Sequence, residues 1–193
     1  MYPIGTTLVY GRNGVCRVRD VGEIKTGEPG RLYYTLEPLF QKETIYIPVD
    51  TKGPLRAVLT REEAEELVRS IPEVQVEAVN LSSLPALSRY YQQAGRTSDC
   101  RELVRFIKTL RARRSRRAGG GRPGNLEERY LHQAEEQLQG ELSVALGIPR
   151  EDVPGYIETV IGAAAACCGN TEAGEGTRCV PSPALPFSPG FGG

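Results

Sequence analysis

Residues 6–24, TTLVYGRNGVCRVRDVGEI, place two apolar, β-branched runs on either side of Gly11 to Gly14, and that pattern decides the fold of the N-terminal third. Val, Thr, Tyr and Ile suit a half-buried pleated surface. Asn13-Gly14 suits a tight turn, because glycine has no Cβ to clash at positive φ and asparagine tolerates that region. Working outward, RLYYTLEPL (31–39) and ETIYIPV (43–49) repeat the pattern, with breaks at Gly27 to Gly30 and Asp50 to Pro54. Short strands at roughly ten-residue spacing, from Thr7 to about Val58, predict a small, strongly bent antiparallel barrel. Such a unit has strand edges that a partner strand can extend.

The period changes at Thr60. Thr60 with Glu63 is a capping box, and Leu67, Val68 and Ile71 form an apolar stripe behind it, which predicts a helix over 61–71. Pro72 to Asn80 reads as a connection. Ser83 to Ala94 reads as a second helix with Pro85 in its first turn, ended by Gly95. Ser98 is placed to cap a third helix over 99–117, with Leu103, Phe106, Ile107 and Leu110 on one face and Arg101, Arg105 and Lys108 on the other. Leu131, Ala134, Leu138, Leu142 and Leu146 predict a fourth helix over 126–146, opened by Asn125 with Glu128 and stopped at Gly147; 149–162 predicts a short fifth. From Ala163 onward ten of 31 residues are Gly or Pro without a sustained period, so the tail is expected to be disordered. The class is therefore α+β: a small antiparallel barrel in 1–59, an all-α region in 60–162 and a tail in 163–193.

Charge and composition narrow the chemistry. The 193 residues carry 24 Lys plus Arg and 24 Asp plus Glu, yet the charge is segregated: +2 over 1–59, −3 over 60–100, +8 over 101–123 and −7 over 124–193. The +8 block, running from Arg101 through Arg111, Arg113, Arg114, Arg116 and Arg117 into AGGGRPG (118–124), is the feature that points to a phosphate backbone. One His, at position 132 on a Glu-rich helix, leaves little for acid/base or nucleophilic catalysis, and AGGGRPG lacks the Gly-Lys-Ser/Thr ending of a phosphate-gripping loop. No catalytic residue is assigned. The five cysteines (16, 100, 167, 168 and 179) have no C-x-x-C spacing, so no metal site, cofactor or disulfide framework is expected, and Cys16 and Cys100 read as small buried residues. No apolar run approaches the roughly 20 residues that span a bilayer, so the expectation is a soluble, cytoplasmic protein.

Several stretches, MYPIGTTLVYGRNGVCRVRDVGEI, RLYYTLEPL, IPVD, ELVRFIKTLRARR and EERYLHQAEEQLQGELSVALGIP, resemble the CarD-type bacterial transcription regulators over about residues 1–162. The resemblance implies an N-terminal Tudor-like barrel that binds the β subunit of RNA polymerase, followed by a helical domain that touches promoter DNA near the upstream edge of the transcription bubble. Carried over by position, the polymerase-binding candidates are Lys25, Arg31, Tyr33 and the strand Thr44, Ile45, Tyr46 and Ile47, with Tyr46 standing where some relatives carry an Arg. Well-known relatives place a minor-groove Trp at the start of the second helix, whereas this chain has none. A gapless count back from Asp99 puts Leu84 there, and alignment on Arg89-Tyr90 puts Ala86 there. Arg89 and Arg129 fall near basic family positions. Charge adds Arg101, Arg105, Lys108, Arg113 and Arg114 as DNA-binding candidates.

Together these readings predict a non-enzymatic, monomeric transcription regulator that binds the polymerase β subunit and contacts upstream promoter DNA, weakly and without sequence preference on its own, to modulate open-complex stability. The alternative is a protein-only module that binds polymerase or another strand-donating partner without functional DNA contact.

Overall fold

The two runs flanking Asn13-Gly14 pair antiparallel as β1 (Thr7–Tyr10) and β2 (Val15–Gly22), joined by a 3-10 turn at Gly11–Asn13. Gly14 has φ 68°, the left-handed conformation the turn reading requires. In the computed structural model, which describes residues 1–51, 53, 55–76, 85, 88–90, 99–117 and 125–168, the chain continues through β3 (Tyr33–Pro38) and β4 (Ile45–Pro48) as an antiparallel meander. A three-residue β5 (Leu55–Ala57), which the sequence pattern does not single out, returns to pair with β1. The order is β4-β3-β2-β1-β5, an open sheet in place of the closed barrel expected from strand spacing. Closure would need β4 and β5 to pair, and the short β5 instead carries Arg56 to a helix, as described below. The α+β class itself holds.

Alternation sorts the sheet into two faces. Leu8, Cys16, Val18, Tyr34, Leu36 and Ile47 form a buried cluster on one face, bounded by Tyr2, Tyr10, Val21, Ile45, Val49 and Leu55. The register shift between Val18 and Asp20 is a bulge at Arg19, which bends β2 and keeps Val21 on the core side opposite Tyr34. The Tyr34 hydroxyl accepts a hydrogen bond from the Tyr2 amide at 2.7 Å and so ties the N-terminal segment to the core.

Four helices are described from end to end: α1 (Arg61–Ser70), α2 (Cys100–Arg117), α3 (Asn125–Leu146) and α4 (Val153–Cys168). Both halves of the Thr60–Glu63 capping box are present, an arrangement worth about 1 kcal/mol. At the start of α2 the Asp99 carboxylate accepts from the Arg101 amide at 2.8 Å; Ser98, the expected cap, lies outside the described residues. Gly147, at φ 69°, ends α3, with the Gly147 and Ile148 amides both donating to the Ser143 carbonyl. The last helix runs six residues past Gly162, through an Ala-rich run whose high helix propensity outweighs the composition that predicts a tail from Ala163. Pro85 and residues 88–90 are helical; the rest of the expected second helix, and the tail beyond 168, lie outside the described residues.

The helices enclose a second buried cluster built on Ala64, Leu67, Val68, Leu103, Val104, Phe106, Ile107, Leu110, Leu131, Leu138, Leu142, Leu146 and Val153, which shares no residue with the sheet cluster. Helices α2 and α3 run antiparallel, with Arg113 beside Glu127, Arg111 bound to Glu135 and Cys100 bound to Glu141. Two arginines of the basic block are thereby paired with glutamates of the neighbouring helix. Lys108 is held in another way, since its ammonium donates to the carbonyls of Ile71, Pro72 and Val74 at 2.7, 3.0 and 2.6 Å, closing the end of α1 and the 3-10 turn (Ile71–Glu73) behind it.

Two consequences are measurable. Burial pushes the Cys16 thiol up to about 11 from 9.0, so the fold keeps it protonated while the unfolded chain ionises; stability should fall by roughly 2 kcal/mol as pH rises from about 9 to 11. At about pH 8 the native chain should leave Cys16 and Cys100 unalkylated, as read by mass spectrometry of their peptides, and ready native-state alkylation would contradict the packing. Lys108→Met should cost about 1–3 kcal/mol in urea unfolding, because it strips donors from three carbonyls; an unchanged midpoint would show that water replaces the ammonium freely.

Candidate polymerase edge and basic face

The candidate strand Thr44 to Ile47 lies at one margin of the sheet. Among the described residues β4 has a strand neighbour on one side alone, β3. The Val49 amide donates to the Leu32 carbonyl at 3.0 Å, which fixes that pair as hydrogen-bonded. Antiparallel pairs alternate, so in the register Tyr34↔Ile47, Thr35↔Tyr46, Leu36↔Ile45 the backbone groups of Ile45 and Ile47 face β3 while those of Tyr46 face outward. Pro48 also sits at an outward position, where its missing N–H costs no ladder bond. Ile47 anchors the strand in the core, and the Tyr46 side chain is 52% exposed on the opposite face. The margin therefore offers an incoming strand one amide, two carbonyls and an aromatic ring.

The neighbouring candidates divide. Lys25 is exposed on the β2–β3 turn. Arg31 holds Asp50 through both carboxylate oxygens at 3.0 and 3.1 Å and Glu28 at 3.0 Å, bracing the β2–β3 connection against the turn after β4. The bond to Asp50, with that of Glu28, raises its pKa further. Tyr33 is buried, its hydroxyl accepts from the Glu28 amide at 3.2 Å, and a Cβ on Gly27 would come within 2.6 Å of its ring. Tyr33 thus packs the turn beside the edge instead of presenting itself there.

The basic candidates divide in the same way. Arg89, Arg101, Arg114 and Arg129 are exposed. Arg105 pairs with Glu102 on its own helix. Arg113 is largely buried beside Glu127 at 3.3 Å, and Lys108 is held by its three carbonyls, so neither presents the free cation that a phosphate contact requires. The helical wheel sorts these side chains by face correctly; what it does not contain is the partner each one meets across the fold. Leu84 and Ala86 lie outside the described residues. Among the described residues no group of three or more His, Cys, Asp or Glu is placed to hold a metal ion, and no helix is long and apolar enough to cross a membrane.

Sequence reasoning missed the site where sheet and helices meet. Glu141 of α3 is fully buried, and its carboxylate accepts four hydrogen bonds: two from the Arg56 guanidinium, one of them at 2.7 Å, one from the Leu59 amide at 3.2 Å and one from the Cys100 thiol at 2.9 Å. That uses the whole acceptor capacity of a carboxylate. Burial, then the charge and hydrogen bond of Glu141, push the Cys100 thiol well up, which keeps it the proton donor this node needs. Burial alone would lower the Arg56 guanidinium, but Glu141 outweighs it and the net shift is upward. Nearby, Gln137 donates to the Gly11 carbonyl at 2.8 Å, Phe40 lies against Gly140, and Arg150 stands 5.4 Å from the centre of the Phe40 ring. A signal was present in the sequence: Glu141 falls three residues after Leu138 and seven after Ala134, on the apolar stripe of its helix, where a carboxylate needs a buried partner.

Residues 2–59 match the family model of the CarD-like/TRCF RID domain. No curated protein was found to match the chain. The matched segment covers all five strands and stops one residue before the Thr60 cap of α1. The family is one of non-catalytic interaction domains that bind the RNA polymerase β subunit, which supports a transcription-related, polymerase-binding role. The match to the CarD-like/TRCF RID family thus lies on the open sheet and its β4 edge, 58 of the 193 residues.

Proposed function

We propose that this protein is a cytoplasmic transcription regulator, itself without enzymatic activity, that adds its β4 margin to a strand of the polymerase β subunit and uses exposed arginines of its helical region to hold upstream promoter DNA. The observation that carries the reading is the outward-facing backbone of Tyr46 on an edge strand within a segment that matches a polymerase-interacting family. Strand addition supplies affinity through main-chain bonds and selectivity through flanking side chains. Here Tyr46 and Lys25 are the exposed flanking groups, Ile45 and Ile47 hold the strand in place, Thr44 extends its margin, and Arg31 and Tyr33 stiffen the adjoining turn. In this proposal 1–59 is the docking unit and 60–162 the DNA-facing unit.

On the DNA side the proposal uses Arg89, Arg101, Arg114 and Arg129, with Arg105 able to leave its half-buried pairing with Glu102, and it leaves out Lys108 and Arg113. Phosphate contacts of this kind are sequence-independent and fall off with salt. A regulator acts on the open complex by binding it more tightly than the closed one, and shifts their ratio by no more than that difference.

A second reading has support of its own. Arg105, Lys108, Arg111 and Arg113, four of the nine basic residues in 101–123, have internal partners, which favours a protein-only docking module whose basic block holds the helices together.

Two experiments test and separate these readings. Tyr46→Pro removes the outward N–H while sparing the bonds to β3; it should weaken binding to a purified β-subunit fragment by at least about tenfold, more than Tyr46→Ala does, with little change in melting temperature. Unchanged affinity would refute edge docking. Reversal of Arg101, Arg114 and Arg129 to Glu should shorten open-complex lifetime on a promoter without weakening the β-subunit contact; an unaltered lifetime would favour the protein-only module.

A further inference from the structure

We propose that Glu141 is a positioning residue: with Arg56 it clamps the polymerase-docking sheet to the helices in one fixed relation, so that where the sheet docks determines where the exposed arginines lie. The inference rests on the function proposed above and adds to it a reason for the buried ion pair.

The sheet and the helices have separate buried clusters, and directed contacts from one helix join them. Gln137, Gly140 and Glu141 stand at i, i+3 and i+4 on α3, one face of that helix, and meet Gly11, Phe40 and Arg56 respectively. Arg150, just beyond α3, stands over the Phe40 ring. Glu141 also binds the Leu59 amide in the three-residue link between β5 and α1, and the first residue of α2, Cys100. Link, sheet and helices are therefore tied at a single carboxylate.

The chemistry of that tie favours orientation over stability. A buried ion pair recovers little more than the cost of desolvating its charges, and apolar replacements of similar volume frequently equal it. What apolar packing does not supply is direction: a two-pronged guanidinium–carboxylate contact holds both planes in register. Two linked binding units gain most when their separation matches the span between their sites, and lose effective concentration when the link loosens. A rigid joint between polymerase-binding and DNA-facing surfaces raises the local concentration of arginines at one place on the promoter.

The experiment uses the full chain with Cys167, Cys168 and Cys179 changed to Ser and spin labels placed at Lys42 and His132, both exposed and one on each unit. Glu141→Gln keeps the shape and removes the charge. It should broaden a distance distribution that is narrow in the parent chain, bind the β-subunit fragment within about twofold of it, and retain less than about a fifth of its effect on open-complex lifetime. Arg56→Lys, which keeps charge but loses the fork, should fall between. Should Glu141→Gln not fold, Gly140→Ala loosens the same joint from another side, since its methyl would lie 3.0 Å from the Phe40 ring, and is expected to shift the distances and the lifetime in the same sense. A distribution that stays narrow in these variants, or one that broadens while the lifetime effect is retained, would overturn the clamp. A parent chain that binds polymerase without altering open complexes would overturn the DNA-side function instead, and the distance distributions would still decide whether Glu141 fixes the joint.

Discussion

A single buried carboxylate organises this molecule. Glu141 has no solvent contact, and a lone charge in that position would be prohibitively unfavourable, so the chain must bring donors to it. They come from β5, from the link before α1 and from the start of α2, all of them 41 or more residues from Glu141 in sequence. Satisfying that one group fixes the direction of β5, the exit of the chain from the sheet and the seating of α2 on α3. It also accounts for the open sheet: β5 lies beside β1 with Arg56 turned to α3, and among the described residues the sheet's other margin, β4, has no strand beyond it.

That margin and the directed joint are complementary. An edge strand with unpaired backbone groups is a liability unless a partner takes it, and here the strand is short, carries a proline at an outward position and lies in a segment that matches a polymerase-interacting family. The helical region contributes a surface whose cations are divided between internal pairs and exposed arginines. The block of charge that dominates the sequence is thus in part structural: Arg111 and Arg113, in the second half of α2, lie against Glu135 and Glu127 of α3, and Glu127, in the first turn of α3, also suits that helix end.

Local rules made much of this legible. The Thr60–Glu63 box, the Gly147 stop, the Asn13-Gly14 turn and the apolar stripes of α1 to α3 are written in adjacent residues, and they appear where the sequence places them. Sheet closure is not legible in the sequence, because strand spacing reports the number of strands and their breaks, not whether the first and last margins meet. The three-residue β5 is too short for period-2 alternation to register. Lys108 lies on the polar face of α2 as its spacing requires, yet its three carbonyl partners lie 34 to 37 residues earlier in the chain, a relation that no local pattern encodes. The edge residues around Tyr46 are legible through family resemblance alone, and the one sign of the Arg56–Glu141 joint in the sequence is a carboxylate on an apolar stripe.

The most direct measurement is amide hydrogen exchange, residue by residue, on the full chain with and without the polymerase β subunit. The Tyr46 amide, which faces away from β3, is expected to exchange rapidly in the free protein and to become protected in the complex, while the amides of Ile45 and Ile47 are already protected in both states. Protection arising elsewhere, with the Tyr46 amide as fast in the complex as before, would contradict docking through the β4 margin.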